Sequence, residues 1–179
     1  METMASSLRV RPESSEYAPF YHKYVVSVPE GDVVALLRQS GRELLDTVAA
    51  IPEDRGGFRY GEGKWSIREV LGHMIDAERI FTYRALRIAR GDTTPLASFD
   101  ENEYVKTAGS EARTLSNLAR ELGAVREASV QLFESFPADA WARSGVASGK
   151  DISVRALAYI AAGHALHHLR ILRERYGVR

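Results

Sequence analysis

Four stretches of this chain repeat their apolar residues at steps of three and four, and no stretch of similar length alternates as a half-buried strand does. In the first, which follows "PEGD", Val33, Val34, Leu37, Gly41, Leu44, Leu45, Val48 and Ile51 share one helical face. The second carries Ile67, Val70, Met74, Ala77, Phe81, Ala85 and Ile88. Ser66 followed by Glu69 predicts its start as a capping box, and Gly91 predicts its end. The third carries Leu115, Leu118, Leu122, Val125, Leu132, Phe133 and Phe136 and stops before Pro137. The fourth opens near Asp151 or Ser153 and runs to Gly177, and "GKDISVRAL" at its start echoes "GKWSIREVL" at the start of the second. Four helices of about 20 residues, each about 30 Å long with one apolar face, predict an all-α four-helix bundle.

The connection "GDTTPLASFDENEYVKTAGS" between the second and third helices is long. It predicts a crossover that leaves those two helices parallel. A chain of 179 residues is expected to form one domain, spanning 1–179. Its N-terminal arm, residues 1–29, includes the aromatic "YAPFYHKYVVSVP" and is too short to stand alone. It is expected to pack over one end of the bundle, with His22 on the surface.

Charge and cysteine content remove several classes of function. Lys plus Arg number 24 and Asp plus Glu number 24, so no net charge draws the chain to nucleic acid or an anionic membrane. The arginines of "RALRIAR" and "RILRERYGVR" are expected at helix C-termini, where cations offset the helix dipole. The absence of cysteine excludes disulfides, thiolate nucleophiles and Cys-ligated zinc. No apolar run approaches the roughly 18 residues of a membrane span. "METMASSLRVRPESSE" lacks the apolar core of a secretory signal. A soluble cytoplasmic protein is expected.

The histidines are the chemically informative residues. Neighbours four apart on a helix are separated by about 40°, so His164 and His168 share a face, and Leu157, Ile160, Ala161, Ile171 and Leu172 share it with them. Their imidazoles therefore fall within the core stripe. His167 is rotated about 100° from His168 and sits at the margin. A third candidate, His73 in "LGHMIDAER", lies at the edge of the second helix's apolar stripe. Burying three imidazoles is costly unless they are paired, and one divalent ion pairs all three. Three histidines with an open fourth position is the pattern of catalytic zinc. Spacing alone leaves a metal site and ordinary core histidines both open. Asp76 could orient an imidazole or be a solvated carboxylate. Asp76, Glu78 and Arg84 are candidate acid–base groups by proximity on the helix, and surface ion pairing explains them equally well. No H-E-x-x-H motif and no pair of Glu-x-x-His motifs is present, which removes zincin-type proteases and di-iron bundles.

"GKWSIREVLGHMIDAERIFTYRALRIARGDTTPL" followed by "ISVRALAYIAAGHALHHLRILRERY" resembles the DinB-like (YfiT-like) superfamily of small bacterial proteins, unrelated to the DNA polymerase that shares the DinB name. The resemblance extends to the "RPESSEYAPFYHKYV" arm and covers nearly the whole chain. It implies an up-down-down-up four-helix bundle, often a homodimer, holding one zinc or nickel ion. The family's metal ligands fall on His73, His164 and His168. Members are described as metal-dependent hydrolases, and relatives use low-molecular-weight thiols in isomerase or S-transferase reactions. The resemblance thus implies a hydrolase acting on a small-molecule substrate through the ion and its water. A thiol cosubstrate in a transferase or isomerase reaction is the alternative within the family. A non-catalytic metal-binding or stress-related interaction protein is the alternative of another class.

Overall fold

The protein is described from a computed structural model in which residues 10–178 are defined. Residues 1–9 of the expected arm lie outside the described residues. Six α-helices are present among the described residues: α1 (His22–Ser27), α2 (Val33–Ala49), α3 (Ile67–Ala89), α4 (Glu101–Thr107), α5 (Leu115–Glu134) and α6 (Val154–Glu174). The four long ones start where side chains can satisfy free backbone N–H groups. Asp32 accepts from Val34 and Ala35, Ser66 and Glu69 form the expected capping box, Thr114 accepts from Asn117, and Ser153 accepts from Ala156. Each such cap contributes about 1 kcal/mol. At the far ends, Gly91 and Gly177 take left-handed backbone conformations that stop α3 and α6.

Contacts between the long helices fix their course. Arg38 meets Glu134 while Leu45 meets Gly123, so α2 and α5 are antiparallel. Tyr176, just past α6, donates to the carbonyl of Trp65, just before α3, while Ile88 packs on Gly145 ahead of α6. Those two helices are therefore antiparallel too. Ile67 and Leu71 pack in the same cluster as Leu115 and Leu118, and Phe81 and Ala85 pack with Val130 and Phe133, so α3 and α5 run parallel. The result is the up-down-down-up bundle that the long crossover and the family resemblance imply.

The crossover is not featureless. It carries α4, capped by Asp100, and Leu96 pairs with a two-stranded hairpin just before α6. That hairpin, β1 (Ser144–Ala147) and β2 (Lys150–Ser153), was not expected from periodicity. Strands of four residues are too short to show alternation. Its turn, Ser148–Gly149, has positive φ at both positions (55° and 72°), as a tight two-residue hairpin requires.

Apolar residues form two clusters stacked along the bundle. One holds Val33 to Leu37, Ala77 to Ala89, Val130, Phe133 and Val154 to Ala162. The other holds Leu44 to Ile51, Ile67 to Ile75, Leu115 to Leu122 and Ala165 to Leu172. Between them runs a seam of buried polar residues: Ser40 on α2, Glu78 on α3, Arg126 and Ser129 on α5, and His164 on α6. Glu78 and Arg126 form a buried ion pair at 2.7 Å, and Arg126 Nη1 also donates to the Leu37 carbonyl. Room for this guanidinium stem comes from Gly41, where a Cβ would stand 2.7 Å from Arg126 Cγ. Surface ion pairing does not describe Glu78: its partner and its burial place it in the core. Arg84 is likewise buried, not an exposed cation at a helix end. An (i, i+3/i+4) pattern within one helix cannot show a partner supplied by another.

Removing one member of a buried pair strands the other charge. Glu78→Gln or Arg126→Met should each lower unfolding free energy by about 3–5 kcal/mol in urea titrations. The double variant Glu78→Gln/Arg126→Met should cost less than the sum of the two; strict additivity would show that the pair is uncoupled.

Candidate metal centre

His73 on α3 and His164 and His168 on α6 meet at the seam. Antiparallel packing brings the first third of α3 beside the middle of α6, and all three imidazoles are buried. His164 Nε2 stands 3.0 Å from His73 Nε2 and 3.1 Å from His168 Nε2. One ligand atom from each ring lies within 4.8 Å of the others. His167 stays on the flank, half-buried, with the edge of Tyr24 against its ring. His22 is exposed beside Tyr17.

The donor set suits a cation better than it suits itself. An imidazole nitrogen carries either one lone pair or one N–H, so His164 Nε2 cannot make good hydrogen bonds to both neighbours. His168 Nδ1 is buried with no hydrogen-bond partner. Nitrogens bound tetrahedrally to one ion at about 2.0–2.1 Å stand about 3.3–3.4 Å apart, close to the two distances from His164, while the three ligand atoms together lie within 4.8 Å. Burial pushes the His73 pKa down to about 4, with a smaller push from His167. Burial also holds His164 and His168 well below the ordinary value, helped by the neighbouring imidazoles. All three are therefore neutral at pH 7, the state in which imidazole ligates metal. The three histidines could hold a metal ion.

Aromatic rings fix the imidazoles. Trp65 lies 4.8 Å from His73, and Tyr24 and Phe81 present edges to His164 at 5.4 and 5.5 Å. Tyr24 arrives from α1, which lies against the middle of α6. A Cβ at Gly163 would stand 2.1 Å from the Tyr24 carbonyl oxygen, so only glycine admits this approach one residue before His164. Burial, and then the charge of Glu101, push the Tyr24 phenol up to about 12.

Two cavities reach the histidines. One, of 170 Å³, contains His73 and His164 among Tyr21, Tyr24, Phe99, Glu101 and Ser148. The other, of 260 Å³, contains His168 among Tyr60, Lys64, Trp65 and Asn102. Glu101 faces the first and Asn102 the second, so the start of α4 stands between them. A larger groove of 500 Å³ between α3 and α5 contains none of the histidines.

The sequence did not single out Tyr24, Trp65, Glu101, Asn102 or Ser148. Asp100, whose side chain accepts from the amides of Asn102 and Glu103, was the available signal for α4. Nothing in the sequence shows where that helix lies. Asp76 is half-buried, its carboxyl pushed up by burial, and it faces Arg79, Glu121 and Arg113. No hydrogen bond joins it to the three histidines. Glu78 is committed to its pair with Arg126, Arg84 is buried, and neither lines either histidine cavity.

Residues 36–172 match the DinB superfamily. The chain belongs to that superfamily. The DinB fold is shared with YfiT from Bacillus subtilis, described as a probable metal-dependent hydrolase with an unusual four-helix bundle topology: TM-score 0.73, 16% identity, 99% of each chain covered. It is also similar to a mycothiol-dependent maleylpyruvate isomerase, with TM-score 0.67 and 13% identity over 81% of this chain. This DinB protein spans 61% of that isomerase. An uncharacterised protein from Escherichia coli UTI89 is similar at TM-score 0.58 and 17% identity, over 86% of this chain and 99% of that one. At such identities these likenesses carry the fold alone. No curated protein matches the sequence.

Depressed histidine pKa values make the metal-free protein acid-sensitive. Below about pH 6.5 the unfolded chain binds protons that the folded chain refuses, so stability falls as pH drops towards 4. His73 alone should contribute a loss of about 3 kcal/mol across that window. Urea midpoints measured from pH 7.5 to 4.5 should fall steeply for the metal-free protein and less steeply for His73→Gln. Equal slopes would contradict the assignment.

Proposed function

We propose that the protein is a metal-dependent hydrolase of small-molecule substrates, with one divalent ion, zinc or nickel, held by His73, His164 and His168. The convergence of three buried, neutral Nε2 atoms at the meeting of two cavities carries this reading. A bound ion would supply Lewis-acid activation of a water or of a substrate carbonyl. The chain's own residues do the remaining work. The imidazoles project from two rigid helices, so their positions are set before any ligand arrives. Tyr21, Tyr24, Phe81 and Phe99 give the smaller cavity an apolar wall that displaces solvent. Glu101, the carboxylate of that cavity, is placed to accept a proton there. Lys64 and Asn102 supply polar groups on the other side.

A second reading draws on the presence of two cavities, one on each side of the cluster. Two reactants could meet there, a low-molecular-weight thiol in one cavity and its electrophile in the other. The likeness to a mycothiol-dependent isomerase supports this transferase or isomerase reading. A homodimer is the assembly we propose for either activity, as the family resemblance implies.

Metal-loaded, untagged protein should carry about one ion per chain by elemental analysis, and a His73→Ala/His168→Ala double variant should carry none. Assayed on a panel of esters and amides, with and without added thiols, the loaded protein should turn over at least one substrate. His164→Ala should lose more than about a hundredfold of that rate. Turnover only with a thiol present would select the second reading. Tight metal retention with no turnover on any substrate would overturn both and leave a non-catalytic metal-binding protein.

A further inference from the structure

Arg84 is 2% exposed, yet no carboxylate among the described residues pairs with it. Its Nη2 donates to the Ala97 carbonyl at 2.7 Å and to Ser148 Oγ at 3.1 Å, and both acceptors are neutral. The neighbouring arginines differ. Arg126 has Glu78, and Arg87 has Asp92 together with the Tyr83 hydroxyl. A buried guanidinium without a counter-ion is costly, and such a group is commonly kept where an anion can reach it.

The surroundings say which anion. Arg84 lines a 320 Å³ cavity with Arg87, Tyr83, Pro95, Phe99 and Tyr104. Arg87 is already neutralised by Asp92, so the cavity combines aromatic walls with one cation that has no carboxylate partner, its guanidinium 5.8 Å from the centre of the Phe99 ring. Those walls suit an apolar body, and a planar guanidinium suits a carboxylate. Ser148 adds a second observation. It is the only non-glycine with positive φ among the described residues, at a turn position that asparagine or glycine would fill without strain. Its hydroxyl accepts from Arg84, which leaves its own O–H free to donate. Phe99 lines both this cavity and the one that holds His73 and His164, and Ser148, the acceptor of Arg84, lines the second, so the two cavities adjoin.

We propose that Arg84 and Ser148 form an anion subsite for the carboxylate of a small organic acid whose apolar body lies against Phe99. The subsite stands on its own geometry. A role for this acid as the substrate would rest in addition on the metal-dependent reading.

Phenylacetate and its neutral analogue phenylacetamide are the probes, titrated at fixed ionic strength into protein stripped of metal by a chelator. Without metal, the outcome is independent of whether the histidines catalyse anything. Wild type should bind phenylacetate at least about tenfold more tightly than phenylacetamide, and Arg84→Met should remove that preference. Ser148→Gly relieves the backbone strain while deleting the hydroxyl, and should weaken phenylacetate binding about threefold. Arg84→Lys keeps the charge but loses the planar donor pair, and should weaken it severalfold. If Arg84→Met does not fold, the last two variants carry the test. Equal affinity for acid and amide, unchanged affinity in Ser148→Gly and Arg84→Lys, or no binding to wild type would each overturn the proposal and leave Arg84 as a tie between loop and hairpin.

Discussion

Three imidazoles buried together, hydrogen-bonded among the described residues only to one another, set the terms for the rest of this bundle. They lie at the seam where the apolar core divides into two clusters. The same seam carries the Glu78–Arg126 pair, and Arg126 is close enough to push down the His164 pKa. A cation among the histidines would therefore sit near a guanidinium, and Glu78 offsets that charge. Gly41 and Gly163 each give up a side chain so that a neighbour can approach, the Arg126 stem at one and the α1 backbone at the other. The first serves the polar layer, and the second brings Tyr24 against His164 while seating Val25 in the apolar cluster.

Much of this architecture is legible in the sequence, because helices announce themselves locally. Apolar steps of three and four mark the four long helices, Ser66 and Glu69 mark one start to the residue, and the fourth start is legible only as Asp151 or Ser153, of which Ser153 is the cap. The face shared by His164 and His168 follows from helical rotation alone, as does the marginal place of His167. Relations between helices are less legible. Glu78 and Arg84 look like surface groups on a helical wheel, and only the approach of α5 and of the hairpin turn makes them core residues. The hairpin itself escapes because four-residue strands leave no periodic trace. Ser148 matters through a backbone conformation that its side chain does not advertise.

The division of labour within the site follows the same line. Long helices hold the histidines, where packing fixes position within narrow limits. Short elements supply the walls: α1 brings Tyr24, α4 brings Glu101 and Asn102, and the hairpin brings Ser148. Such segments vary most readily among proteins that share a fold, so they are where substrate preference would be expected to reside. Likeness to YfiT and to a maleylpyruvate isomerase, at 16% and 13% identity, lies in the shared frame.

The central claim is that the three Nε2 atoms converge on one ion. Crystals grown with zinc or nickel and measured at the absorption edge of that metal test it most directly. The account predicts one anomalous peak at about 2.0–2.1 Å from Nε2 of His73, His164 and His168. A peak at another position, or none at the cluster with metal in excess, would contradict it.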